Sequence, residues 1–512
     1  MMLRKYMTIS CFVSVNFLFI AALNGQRLSK EQVKIATENV LPTAINDLID
    51  FLKIPNDGHH DDHIEANLKR CNEIFIQLGF DTKRLTTAGA PLLFAEKEYS
   101  KKSKTILFYL QIDGQPVDST KWDQPSPYDP VLKSKNANDE WETIAEKSNT
   151  IPLDENWRIF ARSASDSKGP AMAFITALGV LKDMEIRPSY NIKVIMDFQE
   201  ELGSPHLPEA VDQYADLLVA DGILIMDGTR HLSNLPTLTY GARGIATATI
   251  TFFGPSRSLH SGQYGNFAPN PVFEASRFLA SLKNENGLVQ IPGFYEGITL
   301  SEEEKTRLNQ IPEDMEEIKE SLGISKPEKV GGSYQESLQY PSLNIRGLQA
   351  AWVGKEVRTL IPSEVIAEID MRLVPESDGE RLMGLLKQFM EDKGFHLVDS
   401  QPTAEERRLH SKLALFKFKL GSRAFRTNID SSMGLMLNSA MTRIFGNQYI
   451  NMRTTGGSQP IAPFINKLGV PAVSLRIPNP DNSIHAPNEN LRIGNFREGI
   501  MSCLAVLTEP ME

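Results

Sequence analysis

The chain has 512 residues, with 54 lysines and arginines against 64 aspartates and glutamates, so its formal net charge is -10 at pH 7. Hydrophobic residues make up 41% of the chain and charged residues 23%, which supports a large buried core in more than one domain. This acidic balance argues against nucleic acid as a main partner, because phosphate backbones attract positively charged surfaces.

The first residues form a segment of their own. Arg4 and Lys5 precede an apolar run over residues 9–23, and small residues follow up to Gly25. This pattern is typical of a secretory signal peptide, so we predict that residues 1–25 are removed and that the mature protein is secreted or periplasmic. The alternative is an uncleaved membrane anchor; no later segment is apolar over enough length to span a bilayer.

The first part of the mature chain alternates helical and strand-like segments. Residues 30–80 have helical apolar spacing, and a further helix is predicted over 168–183. Short apolar runs predict strands at 105–112, 192–198 and 222–226. Strands that alternate with helices indicate an α/β fold with a mainly parallel sheet.

The pattern changes in the middle of the chain. Residues 244–253 and 366–374 alternate along the sequence, and the first of these runs is rich in β-branched residues, which predicts strands. Helical spacing is found near 271–284 and 379–393. We therefore predict a separate α+β domain inserted at residues 240–424.

Two further segments complete the organisation. Residues 286–345 are polar and rich in glutamate, which indicates an insertion with a surface helix. The α/β pattern then resumes near the end of the chain, with a strand at 472–477 and a final helix near 496–507. The prediction is thus one α/β domain, residues 26–239 and 425–512, split by the inserted domain.

Two cysteines, Cys71 and Cys503, remain after the signal segment, which contains the third. Both lie in helix-like sequence. A disulfide formed in an oxidising compartment and two buried free thiols are both compatible with this pattern.

Acidic side chains cluster at the predicted strand ends. Glu200 and Glu201 follow the strand over 192–198, and adjacent carboxylates repel each other unless a cation or a shared proton stabilises them. Four more ligand-type residues occupy comparable positions next to strands or a helix start: Asp113, Asp166, Asp227 and His485. The carboxyl ends of strands face the ligand crevice in open α/β sheets, and carboxylates with a histidine suit a divalent metal.

Six short motifs accompany these residues. They are Ser165-Asp166-x-Lys168-Gly169, Glu200-Glu201-x-Gly203-Ser204, Leu259-His260-Ser261-Gly262, Arg372-x-Val374-Pro375, Gly456-Gly457-Ser458 and His485-Ala486-Pro487-Asn488-Glu489. Through them the chain resembles the M20 family of metallopeptidases, which includes carnosinase-like dipeptidases, carboxypeptidases and N-acyl-amino-acid deacylases. The resemblance covers nearly the whole mature chain and implies a mainly parallel-sheet catalytic domain with an inserted lid of the dimerisation type.

The resemblance implies a centre of up to two divalent ions, zinc or manganese. The expected ligands are Asp166 as the bridge, Gln111 and Asp227 at a first position, and Glu201 and His485 at a second. Glu200 is expected to be the general base that moves a proton from water to the leaving amine, and Asp113 is expected to orient Gln111. Paired cations lower the pKa of water and polarise the scissile carbonyl.

The resemblance also implies roles for residues in the lid and beside it. His260 is expected to stabilise the oxyanion, from its own lid or from the lid of a homodimer partner. Arg372 is expected to bind the carboxylate of the substrate, which suits its planar fork, and Thr359 and Ser458 are expected to hydrogen-bond the substrate. The implied substrates are small peptides or N-acyl amino acids, hydrolysed at an amide bond.

Two positions depart from the family pattern. Gln111 stands where the family has histidine, and Ala161-Arg162-Ser163 stands where it usually has Gly-Arg-Gly. The first change replaces an imidazole with a neutral amide oxygen, which would weaken the first metal position, shift its metal preference or leave one tight ion. It also leaves a second interpretation open, in which the chain is an M20-like binding or scaffold protein with an impaired site.

Other histidines offer alternative ligands. Residues 59–63 read His-His-Asp-Asp-His, which we interpret as a loop and a helix start with aspartates near the helix N-terminus. His206, which follows Glu200 by six residues, could replace the missing imidazole. We expect its side chain to lie along the following helix instead.

Overall fold

The computed structural model describes residues 27–144, 153–459 and 461–511. The predicted signal peptide, residues 1–25, therefore lies outside the described part of the chain. Within that part, no helix combines the length and the apolar character that crossing a membrane requires.

Helices occur throughout the described residues, and those predicted from apolar spacing are present. In chain order, the α-helices are α1 Lys30–Leu52, α2 Asp61–Gln77, α3 Lys168–Asp183, α4 Leu207–Gln213, α5 Ala215–Leu218, α6 Ser261–Tyr264, α7 Pro271–Ser281, α8 Glu302–Asn309, α9 Met315–Leu322, α10 Tyr334–Ser337, α11 Gly379–Asp392, α12 Ala404–Leu409, α13 Ser432–Phe445, α14 Ala462–Leu468 and α15 Ile493–Leu507.

Besides three short 3-10 helices, strands make up the remaining regular structure of these residues. In chain order, they are β1 Asp81–Leu85, β2 Leu92–Lys97, β3 Thr105–Gln111, β4 Val131–Lys135, β5 Trp141–Thr143, β6 Arg158–Phe160, β7 Asn191–Asp197, β8 Gly222–Ile225, β9 Thr237–Thr239, β10 Gly241–Ala242, β11 Gly244–Phe253, β12 Leu259–His260, β13 Ser342–Gln349, β14 Leu360–Ile361, β15 Glu364–Leu373, β16 His396–Val398, β17 Leu413–Leu420, β18 Phe425–Arg426, β19 Ile450–Met452, β20 Ala472–Arg476 and β21 Asn490–Arg492.

An eight-stranded mixed sheet forms the centre of the α/β domain. Its strand order is β1-β2-β7-β3-β8-β20-β9-β19, and β7, β3, β8 and β20 are parallel neighbours. In β3, Phe108 and Leu110 join the hydrophobic cluster on one face, while Leu107 and Tyr109 join the cluster on the other. Burial on both faces explains why this strand reads as a continuous apolar run. The predicted α/β class is confirmed.

Helices cover both faces of this sheet. Helices α1, α3, α13 and α15 pack against one another and bury one face, whereas α4, α5 and α14 lie on the other. A smaller four-stranded sheet, with the order β21-β6-β4-β5, connects distant parts of the chain. Its β21–β6 ladder places Asn490 opposite Phe160, so the segment near residue 490 lies beside the loop that precedes α3.

The inserted part of the chain forms a five-stranded sheet in the order β13-β15-β11-β17-β16. In β11, buried and half-buried residues alternate, and Ala248, Ile250 and Phe252 belong to one core. Helices α7 and α11 supply Phe278 and Leu386 to the same core. One face of the sheet is therefore covered by helices, which accounts for the period-two pattern of these strands.

The chain enters and leaves this sheet through paired strands. Gly241 and Ala242 of β10 pair with Arg426 and Phe425 of β18, so the two connections run side by side. The domain boundaries at 240 and 424 stay a prediction. Where the sequence indicated a single surface helix over residues 286–345, the structure has the three short helices α8, α9 and α10.

Each of these short helices has its own N-terminal cap. Ser301 accepts a hydrogen bond from the backbone of Glu304, Asp314 accepts one from Glu316, and Ser333 caps the third. A side-chain cap satisfies an otherwise unpaired N–H at a helix start, so three caps divide this polar segment into three helices.

Cys71 in α2 and Cys503 in α15 are both buried free thiols. The structure therefore has two buried free thiols, and not the disulfide that the sequence also left open. Burial raises the pKa of the Cys71 thiol to about 12, so this thiol is protonated and unreactive at neutral pH.

Candidate metal centre

The acidic residues converge because three parallel strands end at the same edge of the central sheet. Gln111 is the last residue of β3, Glu200 and Glu201 lie in a short 3-10 turn after β7, and Asp227 follows β8. Strands β7, β3 and β8 are neighbours, so their carboxyl ends open into one crevice. Asp166 reaches the same crevice from the loop before α3.

Asp166, Glu201 and His485 form a group with the geometry of a metal site. The Nε2 atom of His485 lies 2.9 Å from Oδ2 of Asp166 and 3.2 Å from Oε2 of Glu201. One ligand atom from each of the three residues can be chosen so that all lie within 4.8 Å of one another. The structure thus brings together the bridge and the second-position ligands expected from the sequence.

A buried carboxylate fixes the loop that carries Asp166. Glu489 is fully buried and accepts hydrogen bonds from the backbone N–H groups of Ser163, Ser165 and Asp166 at 3.0, 2.8 and 2.9 Å. Its carboxylate also pairs with Arg162 at 2.7 Å. The loop before α3 is therefore held by the segment that carries His485.

The unusual Ala161-Arg162-Ser163 sequence is accommodated by this loop. Ser163 has a φ of 64°, in the left-handed region that favours glycine. Its backbone N–H donates to Glu489, and its carbonyl accepts the N–H of Lys168 at 3.0 Å. Asn56 donates to its hydroxyl at 2.8 Å. These contacts hold a serine in a conformation that glycine adopts more readily.

Asp113 positions the glutamate pair. Its two carboxylate oxygens accept the backbone N–H groups of Glu200 and Glu201, each at 3.0 Å. The expected contact with Gln111 is not present, since Nε2 of Gln111 is buried and has no hydrogen-bond partner among the described residues. The two oxygens of Asp113 instead hold the turn after β7.

The buried carboxylates of the centre favour the binding of a cation. Burial, followed by the charges of neighbouring carboxylates, raises the pKa of Glu200 well above its usual value. Burial also raises the pKa of Asp166, although His485 opposes the rise. Hydrogen bonds to Asp166 and Glu201 raise the pKa of His485 to about 10. Buried carboxylates at such distances are stabilised by a cation.

The second position fits a divalent metal ion. Asp166, Glu201 and His485 supply carboxylate oxygens and an imidazole nitrogen, the donor set of catalytic zinc sites. Oε1 of Glu201 is buried without a hydrogen-bond partner among the described residues, an acceptor that a cation would satisfy. Gln115, which the sequence did not single out, donates to the other Glu201 oxygen at 2.8 Å.

The first position fits a metal ion poorly. The carboxylate of Asp227 already accepts hydrogen bonds from Ser167 Oγ at 2.9 Å and from Gln459 Nε2 at 3.1 Å. Asp227 does not join the group of three ligand residues. Gln459 was missed from the sequence, although it directly follows the Gly456-Gly457-Ser458 motif.

Two cavities meet at this centre. One, of about 360 Å³, is lined by Gln111, Asp166 and Asp227, and the other, of about 940 Å³, extends toward Ser422 and Arg423. Both cavities are lined by the same four side chains: Glu200, Ser458, Gln459 and His485. Their volumes are in the range of small-molecule sites.

Arg372 in β15 lies close to this crevice. Its Nη1 atom donates to the hydroxyl of Ser458 at 3.0 Å, so a residue of the inserted sheet touches a residue that lines both cavities. Two of the predicted substrate-binding residues, Arg372 and Ser458, are thus adjacent.

Comparison with known proteins identifies the group to which this site belongs. Residues 112–509 match the family described as Peptidase family M20/M25/M40. The chain belongs to this family. As predicted, it is an enzyme of the M20 metallopeptidase type, and the family binds divalent metals.

Several relatives of this M20 chain have names that specify a reaction. It is 28% identical over 416 residues to the Cys-Gly metallodipeptidase dug1 of Schizosaccharomyces pombe, with 80% of each chain covered. It is 27% identical over 419 residues to the Beta-Ala-His dipeptidase of Homo sapiens, covering 80% of this chain and 75% of the human protein. A solved M20 metallo-carboxypeptidase of Sulfolobus solfataricus is 25% identical, with a TM-score of 0.73 over 91% of this chain and 98% of that one.

Two predicted residues lie elsewhere on this M20 chain. His260 in β12 is exposed, and its Nδ1 accepts the backbone N–H of Gly262 at 3.1 Å. Thr359 is also exposed, and its carbonyl accepts the N–H of Ser261 at 3.3 Å. Neither residue lines the two cavities at the centre, so one chain does not bring them to the carboxylates. Their substrate roles stay predictions.

The alternative histidine ligands are also separate from the M20 centre. His59 and His60 both lie near Asp57, at 2.8 and 3.8 Å, and α2 begins immediately after them. They do not join a three-ligand group within the described residues. His206 immediately precedes α4, lies against Gly89 and lines neither cavity.

Proposed function

We propose that this protein is a secreted or periplasmic metal-dependent dipeptidase that hydrolyses the amide bond of small peptides, with N-acyl amino acids as a second substrate class. The observation that carries the proposal is the place of Glu200, which lies where the two cavities meet, beside the group formed by Asp166, Glu201 and His485. Two relatives in the family are named dipeptidases, which favours peptides over acylated amino acids.

Glu200 is proposed to carry the proton during hydrolysis. When bound, a divalent cation lowers the pKa of water and polarises the scissile carbonyl. The Glu200 carboxylate accepts a proton from the attacking water and gives it to the departing amine nitrogen, so the C–N bond breaks after the C–O bond has formed. Its raised pKa suits a group that must both take and release this proton.

Arg372 and Ser458 are proposed to orient the substrate. The Arg372 side chain is 33% exposed, and its nearest acidic partner, Asp370, is 3.8 Å away. A guanidinium with one loose partner can bind a terminal carboxylate with two parallel hydrogen bonds. This contact would place the free carboxyl end of a dipeptide at the side of the inserted sheet and its amide bond at the carboxylates.

The proposed cofactor is zinc or manganese, bound tightly at the second position. Asp166, Glu201 and His485 supply its ligands. The first position is proposed to bind an ion weakly, because Gln111 is neutral and Asp227 is engaged by neighbouring side chains. Oxygen-only sites also favour manganese or magnesium over zinc.

The function is tested with a substrate panel on protein of known metal content. The panel contains dipeptides, a tripeptide and N-acyl amino acids. Glu200→Gln should lower kcat on dipeptides on the order of 10²–10⁴-fold while the bound metal is retained. Glu209→Gln in α4, at an exposed position outside both cavities, is the matched control and should behave as the natural sequence. Unchanged activity in Glu200→Gln would refute the assignment of the base.

A scaffold or binding protein is the second candidate. The observation that favours it is the buried Gln111 amide nitrogen, which has no hydrogen-bond partner within the described part of the chain, at a position where the family has histidine. Metal analysis separates the candidates. A metal-free protein that binds dipeptides without cleaving them would support the scaffold, whereas a metal-loaded protein that cleaves them excludes it.

A further inference from the structure

Arg476 lies next to the first metal position and has no role in the proposed chemistry. It is the last residue of β20, which runs parallel to β8 and places Ser474 opposite Ile225. Two residues further along each strand, this register aligns Arg476 with Asp227. Both side chains line the smaller cavity at the centre.

The guanidinium of Arg476 is buried without an ion-pair partner. The residue is 7% exposed, and Nη1 donates to the carbonyl of Thr229 at 3.3 Å. Its Nε has no hydrogen-bond partner, and among the described residues no carboxylate forms an ion pair with it. The acidic group that acts on its pKa is Asp227, while burial lowers that pKa. Burying an unpaired charge lowers the stability of the fold, so a functional role would explain why Arg476 lies here.

The backbone beside the site makes room for this guanidinium. Gly228 has a φ of 93°, and a Cβ atom added there would lie 2.1 Å from Nη1 of Arg476. Only glycine leaves this space open, and it stands directly after Asp227 in the chain. The charge is thus packed against the backbone directly after Asp227, the residue that was expected to hold the first ion.

The side chains that hydrogen-bond to Asp227 are donors, whereas the nearby carboxylates of Asp166 and Glu200 repel its charge. Ser167 and Gln459 donate to its two oxygens, and Gln111 supplies an uncharged amide in the same cavity. Donors and a guanidinium stabilise a carboxylate, but they repel a second cation. The polar groups here fit a negative charge that is compensated by the protein itself.

We propose that the guanidinium of Arg476 takes the place of the first cation, so that the centre works with one divalent ion. The proposal rests on the proposed function. The three expected carboxylate ligands, Asp166, Glu201 and Asp227, carry three negative charges when ionised, and one divalent ion with one guanidinium balances these three; the carboxylates of Glu200 and Asp113 come in addition. Glu200 is then left free to take up and release a proton.

Metal stoichiometry tests this proposal without reference to activity. Metal-free protein is titrated with zinc and with manganese by calorimetry, and bound metal is counted by elemental analysis after gel filtration. The natural sequence should bind one ion tightly per chain, so one ion should remain after gel filtration even when the metal was supplied in excess. Two tightly bound ions in the natural sequence would overturn the proposal, and this result requires no variant to fold.

Variants separate Arg476 from Gln111. Gln111→His alone should still bind one ion, because the guanidinium remains; two ions in this variant would show that Gln111 is the sole cause. Gln111→His combined with Arg476→Met should bind two ions, with affinity for the second ion raised on the order of 10²-fold or more. A single ion in the folded double variant would refute the role of Arg476.

Controls distinguish a local effect from a general change of charge. Arg423→Met removes an exposed positive charge that lines the larger cavity and should leave the count at one. A second ion in Arg423→Met would contradict the proposal. Arg476→Lys keeps the charge and should also bind one ion. One bound ion without hydrolysis of any peptide refutes the proposed function but not this inference. Two tightly bound ions with hydrolysis refute this inference but not the proposed function. No bound ion refutes both.

Discussion

Replacement of Glu489 by glutamine tests how the centre is held. Glu489 Oε1 accepts the backbone N–H groups of Ser165 and Asp166, and Oε2 accepts that of Ser163 together with Nη1 of Arg162. Glu489→Gln keeps the shape of the side chain but replaces one oxygen with an NH2 group. Each Glu489 oxygen accepts two hydrogen bonds, so the new NH2 group points at two buried N–H donors in either orientation of the amide. Those two donors then have no acceptor.

The magnitude follows from the burial of the whole group. The side chains of Glu489 and Arg162 are 0% and 3% exposed. Removing one partner of such a buried pair costs about 3–5 kcal/mol, since the remaining charge is left uncompensated. Unpaired backbone donors add to this cost, about 1–3 kcal/mol for each group. We expect Glu489→Gln to lose at least about 3 kcal/mol in the free energy of unfolding.

The assay is urea unfolding of metal-free protein, with a metal titration of the same samples. Glu65→Gln is the matched control, because Glu65 makes a two-bond contact with Arg84 on the surface. Exposed pairs contribute about 0–1 kcal/mol, so the control should change little. Metal affinity should fall only in Glu489→Gln, because its loop carries Asp166. If both variants lose the same stability, the buried network does not hold the loop.

Three further predictions concern other parts of the protein. Because the pKa of His485 is raised to about 10, this side chain is charged at pH 7 without metal. Metal binding should therefore release a proton, and the metal affinity should increase as the pH rises toward about 10. Calorimetry in buffers of different ionisation enthalpy measures this release, and a buffer-independent heat would contradict it. His260→Ala should lower kcat on the order of 10²–10³-fold if its ring reaches the oxyanion from a partner's lid, whereas a change confined to KM would assign it to substrate binding. Mass spectrometry of the exported protein should find a chain that begins near residue 26, and an intact Met1 on an intracellular protein would refute the signal peptide.

The regular elements could be predicted because burial leaves a periodic trace in the sequence. The predicted strand over 244–253 is found with the same bounds as Gly244–Phe253, since its alternation comes from a sheet with one covered face. The run at 105–112 is found as Thr105–Gln111, buried on both faces. The three short helices within 286–345 were not separable, because their boundaries depend on capping side chains at Ser301, Asp314 and Ser333 in a polar segment.

The centre was predictable in its residue types but not in its pairings. Ligand-type residues beside strands and a helix start, together with the family resemblance, indicated Asp166, Glu201 and His485, which the structure brings together. The position of Arg476 beside Asp227 depends on the register between β20 and β8, which no local pattern specifies. The Gln459 contact likewise joins residues more than 200 positions apart in the chain.

The long separation between Asp166 and the segment that holds it determines when the protein can become active. The Asp166–Glu489 hydrogen bond spans 323 residues, and the His485–Asp166 contact spans 319. Strand β21, which pairs with β6, is synthesised more than 300 residues after it. A nascent chain, or one still being threaded through a membrane, lacks a complete set of ligands and cannot cleave peptides. The fold therefore delays peptidase activity until the segment that contains His485 and Glu489 has been synthesised.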